Sequence, residues 1–166
     1  LIALDFLFWF GHGYLPKDAD EFEYRLKRLN QGLELLETLN CEIVLGNYPD
    51  VSFATQTVLS TRQVPSDKVR NAMNKKLLEW AEISPKRHVI DVFSLWKDAV
   101  ENKPIAILNN TWPNETRKKL LQRDQLHVTL DGLIAACLLM VEKIGKEGFI
   151  TEVQTIKLLS AELARE

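Results

Sequence analysis

An apolar run over residues 1–10 opens the chain and is interrupted only by Asp5. Runs of this kind, closed here by Gly11-His12-Gly13, are typical of a strand buried on both faces of a parallel sheet. The turn after such a strand lies where open α/β sheets carry their sites. We therefore predict a first strand over residues 1–10. Gly11 and His12 become candidate pocket residues, with a solvated loop histidine as the alternative for His12.

Apolar positions spaced three and four residues apart predict two helices after this strand. Asp18 or Asp20 can cap the first, which runs to about Leu39, and Ser66 can cap the second, which ends near Ile83. Their predicted buried faces are Phe22, Leu26, Leu29, Leu33 and Leu36 in the first helix, and Val69, Met73, Leu77 and Trp80 or Ala81 in the second. We expect these stripes to form the core.

Two more strands are predicted over residues 41–46 and 87–93, and a short helical segment over residues 95–100. The polar loop over residues 47–65 is long for a compact domain, so it is a candidate pocket wall. Residues 102–123 show no regular pattern and include Trp112. The pocket candidates in these loops are Asn47, Tyr48, Asp50 and Trp112, and the alternative for Trp112 is a cover over the core.

The most informative polar pair precedes an apolar helix predicted over residues 130–144, for which Thr129 is a plausible N-cap. Asp124 comes three residues before His127. A carboxylate at this spacing can hold one imidazole nitrogen and leave the other facing a cleft, which is half of an oriented general base. The alternative is a surface turn before a buried helix.

Strand and helix alternate three times, so we predict an α/β fold with right-handed crossovers and a parallel sheet. Its site should lie at the carboxyl ends of the strands. After Gly145, a capping box at Thr151 and Gln154 predicts a last helix to about Arg165. We therefore divide the chain into a domain over residues 1–145 and a helical extension over residues 146–166, which could pack on the domain or on a second copy.

Composition narrows the function classes. With 166 residues and 46% hydrophobic content, the chain fits one domain with a real core. A net charge of -2 without a basic stripe disfavours nucleic acid as a partner, and no apolar run is long enough to span a membrane. Cys41 and Cys137 fit no metal or disulfide pattern. Both are predicted to be buried, which slightly favours a cytoplasmic location.

Two features of the chain resemble the SGNH, or GDSL-type, serine hydrolases. The first is Asp124-Gln125-Leu126-His127 followed by Thr129 and the Gly132 helix, and the second is the strand and turn of residues 43–50. This likeness implies a flavodoxin-like three-layer α/β/α fold. It also implies an ester substrate, no metal or organic cofactor, and a Ser-Asp-His triad. Within that triad, His127 would be the general base and Asp124 its orienting acid.

The chain departs from that family at two places. It contains no Gly-Asp-Ser, and Gly11-His12-Gly13-Tyr14 stands where the family has Gly-x-Asn-Asp. We therefore expect residues 1–145 to correspond to the C-terminal two-thirds of such a hydrolase, with the first strands and the serine upstream. A companion chain or a second copy could then cover the edge of the first strand or pack on the last helix.

Two alternatives to an active hydrolase remain open at this point. The first is a catalytically inactive domain of the same kind that binds a ligand or partner in the same cleft. The second is a flavodoxin-like or response-regulator-like domain. The second is disfavoured, since the chain has no phosphate-cradling glycine loop and no acidic cluster after its first strand.

Overall fold

Helices and strands alternate along residues 1–146, the part of the chain that this computed structural model describes. In chain order the elements are β1 (Ile2–Ala3), α1 (Phe8–Gly11), α2 (Glu21–Glu37), β2 (Ile43–Gly46), α3 (Asp67–Glu82), β3 (Arg87–Ile90), α4 (Val92–Val100), β4 (Ile105–Ile107), β5 (Asn110–Trp112), α5 (Thr116–Leu120) and α6 (Leu130–Lys146). A 3-10 helix over Ser52–Gln56 lies in the loop after β2. The predicted α/β class is confirmed.

The sheet at the centre has three parallel strands in the order β1-β2-β3. Ile2 pairs with Val44, and Ile43 pairs with Arg87. All four residues of β2 are buried. The predicted parallel sheet is therefore confirmed for three strands, and the carboxyl ends of β2 and β3 lie side by side.

The N-terminal run is not one long strand, so that prediction is wrong. Only Ile2–Ala3 pairs with β2, and the chain then turns into α1. A short apolar run does not distinguish a strand from a helix that contacts the core. Here Leu7 packs in one hydrophobic cluster while Phe8 packs against another, so the turn and α1 join two parts of the core.

The two long helices after β1 follow their predicted spacing. Asp20 caps α2, because its side chain accepts a hydrogen bond from the Glu23 amide. Ser66 stands at the N-cap of α3, but its hydroxyl instead donates to Glu21. One member of the predicted stripe is misplaced, since Phe22 in the first turn of α2 is exposed.

Two regions have more regular structure than predicted. Residues 102–123 contain an antiparallel hairpin of β4 and β5 and the short helix α5. After β3, Asp91 accepts a hydrogen bond from the Ser94 amide and caps α4. This cap ends the strand earlier, and begins the helix earlier, than the sequence predicted.

The described residues form two hydrophobic clusters. One joins α2 and α3 to Ile43 and Leu45 of β2. The other joins α4, α6, the β4–β5 hairpin and the 3-10 helix. Side chains alternate between the two faces of a strand, so Val44 and Gly46 face away from the first cluster. The segment that contains Asp124 and His127 lies over the second cluster.

Several smaller predictions have clear outcomes. Cys41 is exposed just before β2, so its predicted burial is wrong, and Cys137 in α6 is only partly buried. No helix within residues 1–146 is both long and apolar enough to cross a membrane. The same residues hold no cluster of three or more His, Cys, Asp or Glu side chains suited to a metal ion. The helix predicted over residues 151–165 lies outside the described residues.

Candidate functional site

The candidate site is a tight turn between α5 and α6. Leu121 and Val128 form an antiparallel bridge that closes it. The Gln122 amide donates to the His127 carbonyl at 2.8 Å, and Gln125 at the tip has a positive φ of 59°. Positive φ is uncommon outside glycine. The turn is therefore fixed at its base and tightly bent at its tip.

Both carboxylate oxygens of Asp124 are used inside this turn. Oδ1 accepts hydrogen bonds from the backbone amides of Leu126 and His127, each at 3.0 Å. Oδ2 lies 2.7 Å from Nδ1 of the His127 ring. The hydrogen bond from His127, supported by these amides, lowers the pKa of the Asp124 carboxyl to about 2. Asp124 is therefore ionised across the physiological range.

Ionisation of Asp124 fixes the proton of the imidazole. A carboxylate can only accept hydrogen bonds, so Nδ1 of His127 must be the donor. In neutral imidazole, Nε2 then carries a lone pair. Nε2 hydrogen bonds no residue within 1–146, and 64% of the His127 side chain is exposed. The pair predicted from the sequence is therefore formed, with its basic nitrogen open to a reactant.

The base of the turn is held by the start of α6. Thr129 Oγ1 accepts a hydrogen bond from the Gly132 amide at 3.1 Å, which confirms the predicted N-cap. The same hydroxyl donates to the Lys119 carbonyl. A Cβ at Gly132 would lie 2.1 Å from the Leu120 carbonyl oxygen, so only glycine allows α6 to approach this closely.

The long loop over residues 47–65 contacts the turn from the other side. Thr57 Oγ1 donates to the Asp124 carbonyl oxygen at 2.7 Å. The Arg117 guanidinium lies 5.2 Å from the centre of the exposed Phe53 ring. Arg117 also donates to the Gln125 side chain. These contacts connect the loop to both sides of the candidate site, although its residues do not line the adjoining cavity.

An open cavity of about 1100 Å³ adjoins the turn. Asp124 forms part of its wall, whereas His127 does not. The complete lining is Asn102, Glu115, Arg117, Lys118, Leu121, Gln122, Arg123, Asp124, Gln125 and Thr129. Since Oδ2 of Asp124 lies 2.7 Å from Nδ1 of His127, Asp124 is the residue that connects the cavity wall to the imidazole.

The polar candidates after β2 are engaged in structural contacts. Asn47 donates to Asp91 Oδ1 at 2.9 Å and accepts from the Phe93 amide at 2.6 Å, which ties β2 to the start of α4. Asp50 lies 3.3 Å from the Arg70 guanidinium. These side chains stand at the predicted edge of the sheet, but none of them lines the cavity beside Asp124.

The remaining candidates lie in the interior. The expectation of a solvated His12 is wrong, because this side chain is 0% exposed and its ring stacks on Phe8 with 4.1 Å between centroids. Tyr48 is also buried and its hydroxyl donates to the Leu7 carbonyl at 2.8 Å. A Cβ at Gly11 would lie 2.3 Å from the Tyr48 ring. Burial lowers the pKa of His12 to about 3 and raises that of Tyr48.

Trp112 also lies in the core and not in a cleft. It ends β5 and is 8% exposed in the cluster of α4, α6 and the hairpin. The sequence left two interpretations of Trp112 open, a pocket residue and a cover over the core. Its buried position fits the second. Asp124 and His127 are thus the candidate residues that the structure brings together in an accessible place.

Sequence reasoning overlooked the cations around this turn. Arg117 and Arg123 line the cavity, and Arg123 directly precedes Asp124 in the chain. Their position beside the strongest motif was the available signal. The formal net charge of -2 for the whole chain does not reveal this local group of cations.

No serine supplies a nucleophile to His127 within the described residues. The hydroxyls of Ser60 and Ser66 donate to Gln63 and Glu21, and the Ser84 hydroxyl oxygen accepts from the Lys86 amide. None of the described serines hydrogen bonds the imidazole.

Comparisons with known proteins identify no relative of this chain. No family model, no curated protein and no solved structure matches this chain. The residues and their geometry therefore carry the functional argument.

Proposed function

We propose that the chain carries the acid and base of a serine ester hydrolase, resembling the SGNH type. One observation carries the proposal: Asp124 holds Nδ1 of His127 at 2.7 Å while Nε2 remains free and the side chain is largely exposed. In this proposal the three-stranded sheet belongs to a flavodoxin-like three-layer domain.

Each residue has a defined role in the reaction. A serine hydroxyl attacks the ester carbonyl carbon while His127 Nε2 takes its proton. The protonated imidazole, stabilised by Asp124, then gives this proton to the departing alcohol oxygen. Water repeats the sequence on the acyl-serine: His127 takes a proton from water, the acid product leaves, and the proton returns to the serine. The products are one carboxylic acid and one alcohol.

The nucleophile in this proposal is a serine outside residues 1–166. The described serines are not bonded to His127, and the hydroxyls of Ser60 and Ser66 donate to Gln63 and Glu21 instead. The oxyanion donors in this proposal also lie outside the block Gly11 to Tyr14. There the Gly11 and His12 amides already donate to the Leu7 and Phe8 carbonyl oxygens.

Labelling with a fluorophosphonate, which reacts with activated serines, tests the proposal. The intact protein is treated, digested and analysed by mass spectrometry, and hydrolysis of p-nitrophenyl acetate is followed in parallel. We expect the label on a serine outside residues 1–166. His127→Ala should lower turnover by about a millionfold, the scale seen when the histidine base of a serine triad is removed, and should suppress labelling with it.

The matched control is Asp18→Asn, because Asp18 is an exposed acid before α2 and far in sequence from the motif. It should retain full labelling and turnover. A labelled serine within residues 1–166, or full turnover in His127→Ala, would contradict the assignment of these roles.

A second candidate function is a binding module that uses the same cleft without turnover. The observation that favours it is the absence of any hydroxyl partner for His127 within residues 1–146, next to an open cavity. This alternative predicts no labelled serine and no hydrolysis in the intact protein, while ligands still bind beside Asp124.

A further inference from the structure

The cavity beside Asp124 carries more positive than negative charge. Its charged lining residues are Arg117, Lys118, Arg123, Glu115 and Asp124, three cations and two carboxylates with a formal sum of +1. The whole chain has a formal net charge of -2. The positive balance is therefore a local property of this wall.

The individual contacts show which cation is available. Lys118 lies 4.0 Å from Glu115, and Arg117 is held by the Gln125 side chain and the Phe53 ring. The Asp124 carboxylate is occupied by His127. Arg123, in contrast, has neither a hydrogen bond nor an ion pair with any residue in the described part of the chain. Its guanidinium is free to bind a ligand in the cavity.

The position of this free cation relates it to the proposed reaction. Arg123 is the neighbour of Asp124 in the chain, and both residues line the same cavity. Asp124 Oδ2 lies 2.7 Å from the His127 ring. A ligand held by Arg123 thus lies in a cavity whose wall includes Asp124, the residue that orients the general base.

The shape of the cavity depends on unusual backbone conformations. Asn102, Glu115 and Gln125 all have positive φ, at 55°, 49° and 59°. All three line the cavity. Left-handed conformations outside glycine carry a strain that the surrounding structure must hold. Within residues 1–146, the one other such residue is Leu108 in the β4–β5 turn.

We propose that this cavity binds a carboxylate carried by the ester substrate, with Arg123 as the specificity-determining residue. The inference rests on the proposed function and names its substrate class: half-esters of dicarboxylic acids. A guanidinium matches the two oxygens of a carboxylate through paired hydrogen bonds. The formal charge of +1 fits a single carboxylate better than a phosphate monoester, which carries nearly two negative charges.

The test compares two esters that differ in one group. Mono-p-nitrophenyl glutarate and p-nitrophenyl pentanoate share the leaving group and the acyl length, but only the first carries a carboxylate. We expect the intact protein to hydrolyse the glutarate ester with the higher kcat/KM. Arg123→Gln should lower the kcat/KM ratio of glutarate to pentanoate about tenfold, mainly through KM, because one charge-assisted contact is lost.

The control is Arg28→Gln, which removes an arginine of α2 that bonds Gln31 and lies outside the cavity. It should leave the ratio of the two esters unchanged. Raised salt should lower the ratio in the wild-type protein, because exposed charges are screened. A wild-type preference for pentanoate, or an unchanged ratio in Arg123→Gln, would overturn the inference.

A binding experiment separates failure of the inference from failure of the proposed function. Free glutarate is titrated while the Arg123 side-chain Nε–H resonance is followed by NMR. If neither ester is hydrolysed but this resonance shifts on titration, the anion site stands and the hydrolase proposal falls. If the esters are hydrolysed and glutarate produces no shift, the carboxylate site is wrong and the hydrolase proposal remains.

Discussion

At the scale of single residues, Asp124 provides a direct test of how the candidate site is held together. We predict that carbon-detected NMR will give this carboxyl a pKa of about 2. His127→Ala should raise that pKa toward the ordinary 3.8, because the largest stabilising hydrogen bond is lost. The rise should be incomplete, since the Leu126 and His127 amides still donate to Oδ1. An unchanged pKa in His127→Ala would mean that the backbone amides alone hold the charge.

The same shift has a consequence for stability. The Asp124 pKa is lower in the folded chain than in the unfolded chain. The ionised Asp124 carboxylate therefore stabilises the folded chain fully above about pH 4, and this stabilisation is lost as the pH falls toward 2. His127→Ala should therefore flatten the dependence of the unfolding free energy on pH within that acid range.

His12 predicts a different pH dependence, because its pKa is lowered by burial. Between pH 6.5 and about 3, the His12 ring is protonated in the unfolded chain but not in the folded chain. The unfolding free energy should thus fall by up to ~1.4 kcal/mol per pH unit as the solution is acidified across that window. His12→Leu should remove this slope in urea titrations at successive pH values.

Phe8→Leu is the control for His12→Leu, because it disturbs the ring stacked on His12 without removing a titrating group. This variant should lower stability at every pH and keep the slope. An equal slope in His12→Leu and the wild type would show that the buried ring does not titrate in this way.

These residues also show what sequence can and cannot predict about a site. The spacing from Asp124 to His127 predicted their pairing correctly, because a separation of three residues within one turn is enough to bring both side chains together. His12 was misplaced since its burial depends on α1, a helix formed inside an apolar run that also fits a strand. Local chemistry was predictable, whereas positions set by distant packing were not.

At the scale of elements, the contact between α6 and the turn depends on Gly132. Ala is normally the better helix former by about 1 kcal/mol. Here a Cβ would meet the Leu120 carbonyl oxygen at 2.1 Å, and that oxygen is backbone and already accepts from the Thr129 amide. We predict that Gly132→Ala lowers the unfolding free energy by about 1–3 kcal/mol, as overpacking does, in urea denaturation followed by circular dichroism.

The control for Gly132→Ala is Leu133→Ala, at the next position of the same helix, where the side chain is half exposed. It should change the unfolding free energy far less. A Gly132→Ala variant as stable as the wild type would show that α6 can move away from Leu120 without cost.

Elements differed in how well their pattern predicted them. The long helices α2, α3 and α6 were predicted to within a few residues, because their apolar stripes repeat over four or more turns. The β4–β5 hairpin was overlooked, since each strand has three residues and its turn contains Leu108 at positive φ and not glycine. Packing of Ile105 and Trp112 in the core holds these short strands in place. The local pattern of hydrophobic and polar residues carries no information about that packing.

At the scale of the whole molecule, one buried arginine joins segments that are far apart in the chain. Arg25 in α2 is 1% exposed. Its guanidinium donates to the carbonyl oxygens of Gly11, Gly13 and Arg62, and its Nε lies 3.2 Å from Glu21. Glu21 in turn accepts from the amide and hydroxyl of Ser66 at the start of α3. This network fixes the N-terminal turn, α2 and the end of the long loop relative to one another.

We predict that Arg25→Met lowers the unfolding free energy by about 3–5 kcal/mol, because it leaves buried carbonyl oxygens and a carboxylate without their partner. Arg28→Met, one turn later in α2 and partly exposed, should cost less than about 1 kcal/mol. Hydrogen exchange should also quicken at residues 11–14 and 62–64 in Arg25→Met, since both segments lose the same anchor. If exchange quickens at residues 11–14 alone, the long loop is held by other contacts, and Thr57 with its bond to Asp124 becomes the anchor that keeps it beside the candidate site.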